Sequence, residues 1–240
     1  MPKFRAAALT DIGNVRQENE DRYLLDEPGR IFGVADGVGG LPAGAEAAQL
    51  AIDEIVGALC SLRDEEEADL VSIVRHASVM VTALGARLSP TTGIGTTLTF
   101  ARIRGARLDI GHVGDSRCYG SRNGTFACLT NDHSVENEAR LRRERAEVVY
   151  YHESNRNALT RCIGQPPPLA VDVIPRPLAA GDRYLFCTDG VTRLIPDPEL
   201  GALTQGGDEP QAVVEAIVQL AIRRGGPDNT TAVALFIDSV

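Results

Sequence analysis

The chain has 240 residues, 43% of them apolar and 24% charged, and its 24 Lys plus Arg against 33 Asp plus Glu leave a formal charge of −9. Composition and length of this kind suit a globular protein with a sizeable core and exclude a disordered chain or a collagen-like or coiled-coil fibre. The negative surplus also excludes nucleic acid as an expected partner, because a phosphate backbone is bound through clustered Lys and Arg.

From the N-terminus, residues 4–10, 22–26 and 30–35 predict strands, separated by turn residues such as Gly13-Asn14 and Glu27-Pro28-Gly29. Helices follow over about 44–60 and 66–88, each with one apolar stripe and a charged back; Leu70, Ile73, Val74, Ala77, Val81, Leu84 and Leu88 mark the second. The segments 96–104, 107–113, 116–120 and 125–129 read as short strands of an antiparallel meander, with Asn123-Gly124 as a hairpin turn. Residues 136–147 contain four Glu, four Arg and one large apolar residue, Leu141. That composition predicts either a solvated helix held by i,i+4 pairs or a mobile flap beside a binding site. Further strands are expected near 170–175, 183–188 and 231–237, with a helix from Pro210 to Arg223-Arg224 that Gly225-Gly226 stops. Strands in runs, then paired helices, then strands again predict an α+β fold with antiparallel sheets covered by helices.

No linker, repeat or low-complexity tract divides the sequence, so residues 1–240 are expected to form a single domain. No apolar run is long enough to span a bilayer and the N-terminus lacks the pattern of a signal peptide, so no membrane contact and a cytoplasmic location are expected. The five cysteines form no C-x-x-C pair and predict reduced, buried thiols rather than a zinc site or a nucleophile.

The chemistry lies with the carboxylates. Asp36 ends IFGVAD, Asp189 ends RYLFCTD and Asp115 ends LDIGHVGD, so in each case an apolar run delivers a carboxylate at its terminus. Gly37 and Gly190 directly follow two of them and let backbone approach a ligand closely. Glu20-Asp21 and Asp228-Asn229 add acids at element ends, and an oxygen-only set favours Mg²⁺ or Mn²⁺ over zinc. Other chemistries fail on residue type: GIGTTL at 93–98 lacks the Lys of a P-loop, the glycines at 37–40 do not match G-x-G-x-x-G, and Ser116 is not in a G-x-S-x-G elbow.

Eight blocks in order carry a more specific signal: TDIGNVRQENEDRYL (10–24), FGVADGVGG (32–40), GTTLT (95–99), GHVGDSRCY (111–119), LTNDHS (129–134), RNALTRCIG (156–164), GDRYLFCTDG (181–190) and GPDNTTAVAL (226–235). Together they resemble the metal-dependent protein phosphatase 2C family in its bacterial form, over essentially the whole chain. The resemblance implies a four-layer α/β/β/α sandwich, two antiparallel sheets face to face with helix pairs outside. It implies that Asp36 bridges two Mn²⁺ or Mg²⁺ ions, with the Gly37 carbonyl on one of them and Asp189 and Asp228 completing the second. Asp115 would help hold a third, weaker ion, Glu20 and Asp21 would hold metal-bound waters, and Arg16 would grip the substrate phosphate. Asp36 and Arg16 are thus the expected catalytic pair.

The implied reaction is hydrolysis of phosphoserine and phosphothreonine in proteins by a metal-bridging hydroxide, opposing a bacterial serine/threonine kinase, with the enzyme a monomer. Such chemistry fits an acidic cleft, since two ions reverse its sign toward a phosphate dianion and lower the pKa of a shared water. One departure is Val38, where some family members carry a histidine able to act as general acid. His112 is expected to be a satisfied core histidine, and His133 and His152 structural or surface groups. The segment 133–158 is the expected flap and the expected determinant of substrate choice. Two other readings use similar residues: a phosphatase-like binding module without catalysis, and a two-metal phosphodiesterase, which the lack of a basic stripe disfavours.

Overall fold

The computed structural model describes residues 2–63 and 66–240. Its strands are β1 (Lys3–Asp11), β2 (Asp21–Asp26), β3 (Ile31–Asp36), β4 (Leu98–Arg104), β5 (Arg107–Val113), β6 (Arg117–Arg122), β7 (Thr125–Cys128), β8 (Asp172–Pro177), β9 (Arg183–Cys187) and β10 (Thr230–Ser239). The helices are α1 (Gly44–Cys60), α2 (Leu70–Leu88), α3 (Val135–Glu144), α4 (Asp189–Thr192), α5 (Asp197–Gly206) and α6 (Pro210–Arg223). One five-stranded sheet runs β1-β10-β9-β6-β7 and the other β2-β3-β4-β5-β8, with every pairing antiparallel.

Period-two alternation explains the layering, because strands buried on both faces divide their apolar residues between two cores. In β3, Phe32 and Val34 enter the core between the sheets, while Ile31 and Ala35 pack in the core with α1 and α2. In β10, Val233, Leu235 and Ile237 face the other sheet, and Ala232, Ala234 and Phe236 pack with α6. The result is the expected sandwich of helices, sheet, sheet and helices. Phe186 has no exposed surface and sits in the central layer. Replacing it by Ala is expected to cost about 3–5 kcal/mol, seen as a lower midpoint in urea unfolding.

The structure departs from the predicted elements in three places. The meander is two hairpins on different sheets: β4 and β5 belong to one, β6 and β7 to the other, and residues 114–116 cross between them. Gly114 makes the crossing at φ +112°, and an added Cβ there would lie 2.6 Å from Thr97 Cβ. The second helix starts at Leu70 rather than 66, since Asp69 caps it by accepting from the Ser72 N–H at 3.0 Å. Helices α4 and α5 were not anticipated; α5 buries only Leu200, Gly201 and Thr204, too sparse a stripe for periodicity to reveal, although Pro198 and two acids mark its first turn. Among the described residues no helix is long and apolar enough to cross a membrane.

Candidate active site

Antiparallel pairing brings the start of β2, the end of β3, the start of β4 and the end of β5 to one edge of their sheet. The end of β9 and the start of β10 meet in the facing sheet. A cleft of about 480 Å³ opens there, and Arg16, Glu20, Asp36, Gly37, Asp115, Asp189 and Asp228 all line it. Asp21 is not in its wall but is buried, at 1% exposure.

Asp36 is fixed through its backbone. Its N–H donates to Thr97 Oγ1 at 3.0 Å, and its carbonyl accepts from the Thr97 N–H and from Thr96 Oγ1, both at 2.8 Å. The Thr96-Thr97 pair is therefore what the GTTLT block contributes. Gly37 donates its N–H to the Glu20 carbonyl at 3.2 Å, and a Cβ on it would come within 2.6 Å of the Gly44 backbone. Only glycine fits at that approach.

Asp21 faces Asp36 in the β2–β3 register. Its Oδ2 accepts from Thr188 Oγ1 at 2.8 Å and Thr231 Oγ1 at 2.7 Å, so one carboxylate ties β2 to the residue before Asp189 and to β10. Asn229, next to Asp228, accepts the Glu20 N–H at 2.8 Å and donates to the carbonyls of Ile12 and Glu18, both at 2.9 Å. These bonds hold the loop that carries Arg16. Arg16 pairs in a fork with Asp228, Nε to Oδ1 and Nη2 to Oδ2, each 2.9 Å, rather than with Glu18 or Glu20.

Asp115 is placed by the sheet crossing and by a histidine. The His133 N–H donates to the Gly114 carbonyl at 2.8 Å, and the Gly114 N–H donates to His133 Nδ1 at 3.0 Å. With Nδ1 accepting, the ring proton sits on Nε2, 3.2 Å from Asp172 Oδ2. Burial and then the Arg161 charge push the His133 pKa down, which keeps the ring neutral and Nδ1 an acceptor. His133 is thus the expected structural group, and it joins the Asp115 loop to the flap root. Gly114→Ala is expected to cost about 1–3 kcal/mol and to lower activity, whereas Gly124→Ala should spare activity because nothing lies within 4 Å of that position. Thermal melts and turnover of the two variants check this.

His112 is the expected core histidine, fully buried, with Nδ1 2.8 Å from Thr99 Oγ1 and Nε2 donating to the Asn131 carbonyl at 2.9 Å. His152 is exposed. The Arg- and Glu-rich segment forms α3, with Ala139 its one buried residue and ion pairs Arg140–Glu144 and Arg142–Glu147 on its surface. Asn157 and Ala158, at the end of the expected flap 133–158, and Leu159 just after it line the cleft. Five free cysteines are present as expected, but Cys60 is exposed and not a core thiol, lying 3.1 Å from Asp26 at the end of α1.

The electrostatics of the cleft are those of carboxylates in want of cations. Burial, then Asp21 and Asp189, raise the Asp36 pKa well above the usual carboxylate range. Burial also lifts Asp21 and Asp115 to about 7, and raises Asp189 and Glu20. Asp21 Oδ1 and Asp189 Oδ1 are buried without any hydrogen-bond partner. Unpaired anionic oxygens in such a place are costly. Among the described residues no three acidic, histidine or cysteine side chains close around one point. Two guanidinium groups hold part of the set instead: Arg16 on Asp228, and Arg193 on Asp189. The donors that remain are all hard oxygens, which fits Mg²⁺ or Mn²⁺.

A profile of the protein phosphatase 2C family matches residues 14–209. The serine/threonine protein phosphatase PstP of Mycobacterium tuberculosis is 34% identical over 96% of this chain, which spans only 44% of the length of that relative. The serine/threonine phosphatase stp of Listeria monocytogenes is 28% identical, over 95% of this chain and 94% of its own. The crystal structure of the catalytic domain of PstP in complex with two manganese ions superposes with a TM-score of 0.80 at 31% identity, covering 98% of each chain.

Proposed function

Since the chain belongs to the protein phosphatase 2C family, we propose that it hydrolyses phosphoserine and phosphothreonine in proteins in a reaction that depends on divalent ions. The observation that carries this reading is the cleft itself, where carboxylates from both sheets converge beside the Arg16 guanidinium, with an unpartnered oxygen on Asp189 in its wall and another on the buried Asp21. The manganese of the PstP catalytic domain supports the same ions here. Asp36, the Gly37 carbonyl, Asp189 and Asp228 are the proposed ligands, with Glu20 and Asp21 acting through water. Divalent ions at these ligands would neutralise the cleft toward a phosphate dianion and activate the attacking water.

The side chains of the protein then divide the remaining work. Thr96 and Thr97 hold Asp36 in place, and Asp21, tied to Thr188 and Thr231, keeps the two sheets in step at the reaction centre. Arg16, with a half-exposed side chain, can leave Asp228 for two phosphate oxygens, while Gly39 has no side chain to block it. A new O–P bond forms to water as the ester P–O bond breaks, releasing phosphate and the seryl or threonyl hydroxyl. Val38 has no titratable side chain and no histidine lines the cleft among the described residues, so in this reading the leaving oxygen takes its proton from water.

Residues 1–240 work as one catalytic domain in this reading, with 133–158 as a flap that selects substrates. A serine/threonine kinase supplies the phosphoprotein, and the enzyme acts as a monomer in the cytoplasm, a reducing compartment that suits five free cysteines. The test is phosphate release from a phosphothreonine peptide with Mn²⁺ and after chelation: loss on chelation supports the proposal, and no release at any ion concentration overturns it. Arg16→Lys keeps the charge but not the fork, and kcat/KM for the peptide should fall about 10- to 100-fold.

A further inference from the structure

Arg193 belongs to no block of the family resemblance, yet it reaches two of the cleft's acids, Asp189 and Asp228. It follows the one-turn helix α4, four residues after Asp189, so the turn of the backbone returns its side chain to that carboxylate. Its Nη2 pairs with Asp189 Oδ2, and Nη1 lies 3.8 Å from Asp228 Oδ2. Arg193 also lines a second cavity, of about 270 Å³, that shares Asp115 and Asp189 with the main cleft. It therefore stands where the two spaces meet. Of the other cations in that cavity, Arg117 is taken up by Asp132 through bonds of 2.8 and 2.7 Å and Arg156 pairs with Glu153 at 3.2 Å. Asp189 is 8% exposed, its Oδ1 has no hydrogen-bond partner, and its Oδ2 is held by Arg193.

We propose that Arg193 is the resident cation of the Asp115–Asp189 pair, standing in for a third divalent ion, so that the protein takes up two ions rather than three. The inference rests on the metal-dependent reading above. Its physical basis is that a guanidinium keeps its charge at any working pH and repels a divalent ion beside it; the second ion has Asp36 and Asp228 as well as Asp189 to offset that repulsion, whereas a third would have only Asp115 and Asp189.

Mn²⁺ stoichiometry measured by equilibrium dialysis, with free Mn²⁺ read by electron paramagnetic resonance, tests this without reference to turnover. The parent should bind two ions. Arg193→Gln should bind three, the additional one at least tenfold tighter than any further binding in the parent, and Arg193→Gln combined with Asp115→Asn should return to two. Arg193→Lys, which keeps the charge, should stay at two and guards against a glutamine variant that misfolds. Three ions in the parent, two in Arg193→Gln, or three still in the double variant would overturn the inference while leaving metal dependence intact. No Mn²⁺ bound to the parent would overturn both.

Discussion

Asp36→Asn should reduce phosphate release from a phosphothreonine peptide by roughly 10³-fold at saturating Mn²⁺, and should at the same time raise the melting temperature of the metal-free protein. The two effects have one cause. Asp36 ends a strand whose other residues are buried, and it faces Asp21 across the β2–β3 pair, with Asp189 close enough to repel it. In the absence of cations it folds only by taking up a proton, a cost that Asn does not bear. Relief of that cost should raise the melting temperature, by roughly 2–4 °C for each kcal/mol in a chain of this size. The backbone bonds from Thr96 and Thr97 go to main-chain atoms of residue 36 and survive the substitution, so the lost activity is not lost structure. A variant that keeps activity within tenfold of the parent would remove Asp36 from the reaction. One that loses activity and stability together would point to misfolding instead.

Without metal, the protein should lose stability as pH rises from 6.5 to 8.5, and Mn²⁺ should stabilise it more at pH 8 than at pH 6. Asp21 and Asp115, lifted to about 7, and Asp36, also raised well above the usual carboxylate range, bind protons in the folded state that the unfolded chain has already released. The native state therefore holds more protons over this window, and its stability falls with pH until those carboxyls ionise. His112, pushed down to about 4 by burial, and His133, also lowered, act in the opposite sense. Their contribution is confined to pH below the unfolded histidine value of about 6.5, which is why the window begins there. One pKa unit is worth about 1.4 kcal/mol, and two groups that titrate near 7 release most of their protons across this window, so the loss should be on the order of 1–2 kcal/mol. Divalent ions compete with protons for the same oxygens, which reverses the slope. Thermal melts at matched ionic strength, with chelator and with Mn²⁺, measure both. A flat metal-free profile, or an equal Mn²⁺ shift at the two pH values, would contradict the account of the cleft.

Much of this site is legible in the sequence because its carboxylates end elements. Asp36 and Asp189 each close a run of apolar strand residues and precede a glycine, a local pattern that needs no tertiary information. The elements themselves follow from periodicity where apolar stripes are long, as in α2 and β10, and fail where they are short. Helix α5 buries three residues and α4 is a single turn, so neither leaves a periodic trace. Arg193, which α4 turns back onto Asp189, was missed for that reason. The β5–β6 connection looked like one more hairpin turn because Gly-Asp-Ser is a turn sequence in either setting. Only the inter-sheet core shows that the chain crosses there, since Cys118 on β6 packs in the same central layer as Ile110 on β5 but from the opposite sheet.

By itself, the sequence determined the class of fold, the family and the kind of oxygen donors that act, because these depend on local pattern and on ordered motifs. Tertiary structure decided which acids confront one another and what answers them. Asp21 and Asp36 meet through strand register, Asp228 receives Arg16 from more than 200 residues away in the chain (|i−j| 212), and His133 fixes the loop of Asp115. Charge interactions depend on distance and burial rather than on separation along the chain. The formal charge of −9 is a sum over the sequence, whereas the strong field of the cleft arises from a few carboxylates that folding concentrates and partly strips of water.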